Sequence, residues 1–109
     1  MAYDEAVAAR VRRAVGRRQG LTEKKMFGGL AFLLRGHMCC GVVGDELMVR
    51  VGPEEYQTAL ANPHARPMDF TGKPLTGFVY IAPRGLASDR NLDSWLRKAT
   101  AFVSTLPPK

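Results

Sequence analysis

Between Lys24 and Gly52 the apolar residues fall into three short runs, separated by Arg35-Gly36 and Gly44-Asp45. Each gap has the length and glycine content of a tight hairpin connection, so the stretch predicts a three-stranded meander. The first strand includes Leu30 to Leu34, with Lys25 to Phe27 leading in. Gly28-Gly29 interrupts it, which predicts a bulge or the close approach of another backbone. The second strand runs from His37 to Val43. Strict alternation puts Met38, Cys40 and Val42 on one face and Cys39 and Val43 on the other. In the third strand Leu47, Val49 and Val51 point one way, and Met48 and Arg50 the other. Two strands with apolar residues on both faces call for a sheet covered, at least in part, on both sides. Helices can cover one face. The second then needs a loop, a partner subunit or a ligand.

The flanking segments change period. Asp4 is a plausible N-cap, and Val7, Val11, Ala14 and Val15 share a helical stripe with Ala8 at its margin. Arg10, Arg13 and Arg17 form a neighbouring basic stripe, Arg12 projects elsewhere, and Gly20 stops the helix. Gly52-Pro53-Glu54-Glu55 predicts a second helix, with proline and acids in its first turn. It ends near Leu60, because Asn62-Pro63 cannot continue it. Pro67 to Phe70 predicts an edge strand, Thr71 to Pro74 a turn, and Gly77 to Ala82 a further strand. The last helix is the clearest element: Leu92, Trp95, Leu96, Ala99, Phe102, Val103 and Leu106 repeat at helical spacing. Asp89 or Ser88 caps its start and Pro107-Pro108 ends it. The order reads α-β-β-β-α-β-β-α.

With 109 residues, the chain has room for one core and not two. An apolar content of 46% makes that core affordable. No apolar run approaches the roughly 18 residues that a membrane helix needs, and the first ten residues lack a signal-peptide pattern. Two adjacent cysteines make no disulfide framework, so a reducing, cytoplasmic setting is expected. Sixteen Lys and Arg against ten Asp and Glu give a net charge of +6, which favours contact with nucleic acid or acidic protein surfaces.

The candidate chemistry is sparse. His37, Cys39 and Cys40 are soft or borderline metal ligands, yet a closed site needs more of them, and His64 is the only other histidine. A nucleophile–base pair from Cys39 or Cys40 with His37 or His64 has nothing in the sequence to orient it. Ser88, Ser94 and Ser104 lack nucleophile-elbow context, and Gly72-Lys73 lacks the rest of a phosphate loop. No cofactor or catalytic residue is expected. Lys24, Lys25, Met26 and Phe27, and likewise Arg66, Met68, Phe70 and Lys73, combine cations with large apolar side chains. Read blandly, the apolar members fill the core and the charges are solvated. Read functionally, they form a mixed apolar and basic contact surface. Arg10, Arg13 and Arg17 with Lys24 and Lys25 form the alternative, nucleic-acid-contacting set.

The segments EKKMFGGLAFLLRGHMCCGVVGDELMVRVG and ARPMDFTGKPLTGFVYI resemble the N-terminal domain family of TfoX, also called Sxy, and the similarity runs from about Tyr3 to Leu106. The resemblance implies an α+β fold: a two-layer α/β sandwich of order α-β(3)-α-β(2)-α, its five-stranded sheet mixed or antiparallel. TfoX proteins regulate natural competence alongside the cyclic-AMP receptor protein, and carry a second, C-terminal helical domain for which this sequence has no room. The expectation is therefore one stand-alone domain over 1–109. It would act as a non-catalytic regulatory or protein-interaction module linked to transcription regulation. Homodimerisation is expected from the two-faced strands and the edge strand. A nucleic-acid-binding accessory protein is the second reading. The third is a small enzyme or metal or ligand binder using His37, Cys39 and Cys40.

Overall fold

A computed structural model describes residues 3–16, 20–26, 28–69 and 74–107. Arg35 and Gly36 both take positive φ, 52° and 86°. This is the backbone that a two-residue hairpin needs if its turn is to match the right-handed twist of its strands. The hairpin joins β2 (Gly29–Leu34) to β3 (His37–Val43), and Gly44-Asp45 joins β3 to β4 (Glu46–Arg50), as the glycine spacing predicts.

A strand precedes this meander that the hydrophobic pattern does not reveal. β1 (Leu21–Met26) pairs antiparallel with β2, Leu21 opposite Leu34 and Met26 opposite Gly29. Its residues Thr22 to Lys25 are all exposed, so no apolar alternation marks it. Gly28 thus belongs to the connection between two strands and Gly29 opens the second of them, rather than both interrupting a single strand. The close approach expected there is found at Gly29, where a Cβ would collide with the Val42 carbonyl oxygen of β3.

Helix α1 (Glu5–Val15) starts at Asp4, whose Oδ1 accepts from the Ala6 and Val7 amides at 2.8 and 3.3 Å. Helix α2 (Tyr56–Leu60) begins later than predicted. Pro53 to Glu55 form a turn ahead of it, and the cap residue Glu55 makes no side-chain cap bond. Beyond it, β5 (Ala65–Asp69) and β6 (Pro74–Ile81) complete one six-stranded antiparallel sheet in the order β1-β2-β3-β4-β6-β5. The expected five strands are therefore six. The predicted edge strand starting at Pro67 is β5, at one margin, and β1 forms the other. A 3-10 turn (Pro83–Leu86) leads into α3 (Asp89–Val103), where Ser88 Oγ caps the Asn91 amide at 3.1 Å.

All three helices pack on one face. Ala8, Val11 and Val15 of α1, Tyr56 and Ala59 of α2, and Leu92, Trp95, Leu96, Ala99 and Val103 of α3 form one core with the inward strand residues. Phe32, Val42, Leu47, Val49, Val79 and Ile81, with Cys40, are the fully buried strand contribution. Each such aliphatic or aromatic side chain contributes about 1.5–3 kcal/mol relative to exposure. The result is two layers, with one sheet face left without a helix among the described residues.

A β-bulge corrects the predicted alternation in β3. Phe32 pairs with Cys40 while Leu33 pairs with Met38, so Cys39 is an extra residue on β3. The two cysteines do not point to opposite faces. Both lie in the helix-side core, 1% and 0% exposed. Period-two reasoning fails here because a bulge sets the strand out of phase by one residue.

Candidate interaction face

The face of the sheet without helices is built from the residues between the inward ones. From β1 to β5 it presents Lys24 and Met26; Ala31 and Leu33; Met38 and Val43; Glu46, Met48 and Arg50; Phe78 and Tyr80; and Arg66 and Met68. Met48, Met68 and Tyr80 form a second, smaller buried cluster, with half-buried Met38, Val43 and Phe78 against it. Apart from Met1, outside the described residues, every methionine of the chain sits on this face, and the helix-side core has none.

Arginines are stacked over its aromatic rings. Arg66 lies opposite Tyr80, with its guanidinium carbon 4.5 Å from the ring centroid. It continues across to β4, where Nε and Nη2 donate to the two Glu46 carboxylate oxygens at 3.1 and 2.6 Å. Such a two-point pair fixes the guanidinium plane as well as its charge. Glu46 hydrogen bonding raises the Arg66 pKa, and burial pushes the Tyr80 hydroxyl up. Arg50 lies 5.2 Å from the centroid of Phe78 on this face and 5.4 Å from that of Phe102 on α3, so its guanidinium bridges the two layers, and it donates to the Met38 carbonyl at 3.4 Å. Each cation–π contact contributes about 0.5–1 kcal/mol where water has access.

The sequence-predicted patches come together only in part. Lys24 and Met26 lie on β1, and Arg66 and Met68 on β5, so the two patches share one face but occupy opposite edges. Lys25 is exposed and alternates to the helix side. Phe27, Phe70 and Lys73, with the predicted turn at Thr71, lie outside the described residues, as does Arg17. Within the α1 arginine stripe, Arg10 is engaged. Its Nη2 donates to the Leu86 carbonyl at 2.6 Å and to Asp89 at 3.2 Å, tying α1 to the start of α3. Arg13 is exposed, and Arg12 makes a two-point pair with Glu23 of β1 at 2.8 and 2.9 Å.

The His-Cys cluster is dispersed by the fold. Hydrogen bonding with Cys39, then burial, holds the Cys40 thiol well above its ordinary pKa. His37 Nε2 lies 2.6 Å from the Pro107 carbonyl oxygen, a contact that ties β3 to the chain after α3. Among the described residues no three His, Cys, Asp or Glu side chains gather as a metal site. Likewise, no described helix is long and apolar enough to cross a membrane.

A family model described as the TfoX N-terminal domain matches residues 13–103. The chain belongs to that family. No curated protein and no solved structure matched it. The match spans all six strands, α2 and α3, and only the last turn of α1, so the helix-free face is part of the TfoX N-terminal domain as this chain builds it. Sequence reasoning missed Glu46, Phe78 and Tyr80 as members of that face. The alternation of Phe78 and Tyr80 with Val79 and Ile81 carried the signal, but a two-faced apolar strand does not say which side lacks a helix.

Proposed function

We propose that the chain is a non-catalytic regulatory module that binds an acidic protein surface through the helix-free face of its sheet. The carrying observation is the makeup of that face, an apolar, methionine-rich centre with Arg50 and Arg66 held over aromatic rings. Protein interfaces favour this arrangement of aromatic residues, methionine and arginine inside a polar rim. Methionine side chains can also repack against varied partners. Charge selects the partner: Lys24, Arg50 and Arg66 against Glu46 leave the face positive, within a chain of net charge +6. A second copy would bring like charges together, whereas an acidic surface would pair with them. Membership of the TfoX N-terminal family supports a role in regulation. The placement of Cys39 and Cys40 in the core supports the non-catalytic reading, since a buried, protonated thiol is a poor nucleophile.

Selection from a displayed random peptide library tests this. The expected result is enrichment of peptides combining Asp or Glu with aromatic or aliphatic anchors, and at least tenfold weaker binding by Arg66→Glu. Enrichment of neutral or basic peptides, or indifference to charge reversal, would overturn it. So would sedimentation equilibrium showing a micromolar dimer dissolved by the same substitution, because the occupant would then be a second copy.

A further inference from the structure

On the opposite side of the molecule, α2, the 3-10 turn and α3 enclose a groove of about 290 Å³. Asn91, Ser94, Trp95 and Lys98 line it from α3, at spacings of three, four and seven residues that form one helical stripe. Thr58 of α2 and His64 line the other side.

The backbone of His64 is fixed from both ends. Its amide donates to Asn62 Oδ1 at 2.9 Å, and its carbonyl accepts from the Ala82 amide at 2.9 Å. Gly85 closes against it so tightly that a Cβ there would stand 2.8 Å from the His64 Cβ and 2.7 Å from Ile81 Cγ2. Within the described residues, the imidazole so positioned makes no hydrogen bond, nor do the side chains of Asn91, Ser94 and Thr58. Lys98 is paired loosely, 3.6 Å from Glu55. No carboxylate lines the groove itself.

We propose that this groove is a binding site for a small oxyanion, the phosphate or carboxylate group of a metabolite. An ammonium, an amide, two hydroxyls and an imidazole supply the hydrogen-bond donors that such a group needs on several sides. Buried water-excluding walls come from Trp95, which is 6% exposed. The volume sits at the lower end of ligand pockets, so it suits a compact ligand rather than a nucleotide. The anion competes with Glu55 for Lys98, which sets its affinity below that of a groove with an unpaired cation. This site is independent of the helix-free face, and either can fail without the other.

Trp95 is the sole tryptophan of the chain and lines the groove from the core side, so fluorescence changes come from this one wall. Titration with sodium phosphate and with sodium acetate, against sodium chloride at matched ionic strength, is the direct experiment. A saturable change with one or both oxyanions and none with chloride is the expected result, and the preferred anion identifies the ligand group. Lys98→Gln should weaken that response at least tenfold and Ser94→Ala several-fold, with unchanged circular dichroism. His64 ring signals, assigned against a His37→Gln variant, should shift in the same titration. Fluorescence and ring signals insensitive to both anions would overturn the proposal, as would an undiminished response in Lys98→Gln.

Discussion

A thiol buried beside another thiol loses both the solvent and the counter-charge that a thiolate needs, and Cys40 is in that position. Two consequences follow for the native protein. Ellman-type titration at pH 8 should find Cys39 and Cys40 unreactive until denaturant is added, when both should react; fast labelling of the folded protein would refute their burial. Stability should also depend on alkaline pH. Because the folded thiol is raised above its unfolded value, its contribution is complete below the ordinary thiol range. It is lost as pH climbs from there towards the folded value. Denaturant midpoints should therefore fall through that window, and a Cys40→Ala variant, although less stable throughout, should show a shallower fall.

At the scale of elements, the three strands β4, β6 and β5 are stitched by one side chain. Arg66 starts on the outermost strand, crosses the Tyr80 ring and ends on Glu46, so removing it releases an ion pair and a stacking contact together. Its side chain is 55% exposed and that of Glu46 24% exposed, which screens the charge part of the interaction. A double-mutant cycle between Arg66→Ala and Glu46→Ala should give a coupling of about 0.5–1 kcal/mol in denaturant unfolding. The cycle with Tyr80→Leu should couple by a similar amount. Strictly additive losses in both cycles would show that the side chain is not held across the sheet.

The same elements show how much was legible beforehand. The hairpins at Arg35-Gly36 and Gly44-Asp45 were readable because turn geometry demands particular residues. Helix α3 was readable because fifteen residues carry one period. β1 was not, since an edge strand with four consecutive exposed residues buries too little to leave a pattern. The phase of β3 was hidden as well, because a bulge is a property of pairing with β2 and not of β3 alone. Of the candidate face, its two edges were visible as mixed basic and apolar runs. Its centre was not, because joining those edges required the strand order. The groove around His64 depends on α2, the 3-10 turn and α3 meeting, and only Gly85 hinted at so close a contact.

Taken whole, the molecule sorts its sulfur by side: both cysteines towards the helices, and Met26, Met38, Met48 and Met68 on the other face of the sheet. Oxidation of a thioether to a sulfoxide replaces an apolar contact with a polar one. The helix-free face can thus be made more polar by chemistry that spares the larger core. Met26 and Met38 are half-buried, while Met48 and Met68 are each 1% exposed, so the four should react in two stages. Brief peroxide treatment followed by peptide mass spectrometry should find sulfoxide at the first pair before the second, with helix content unchanged. A protein so treated would keep its architecture and lose the apolar character of one face, which makes the face's occupancy sensitive to oxidants while the fold is not.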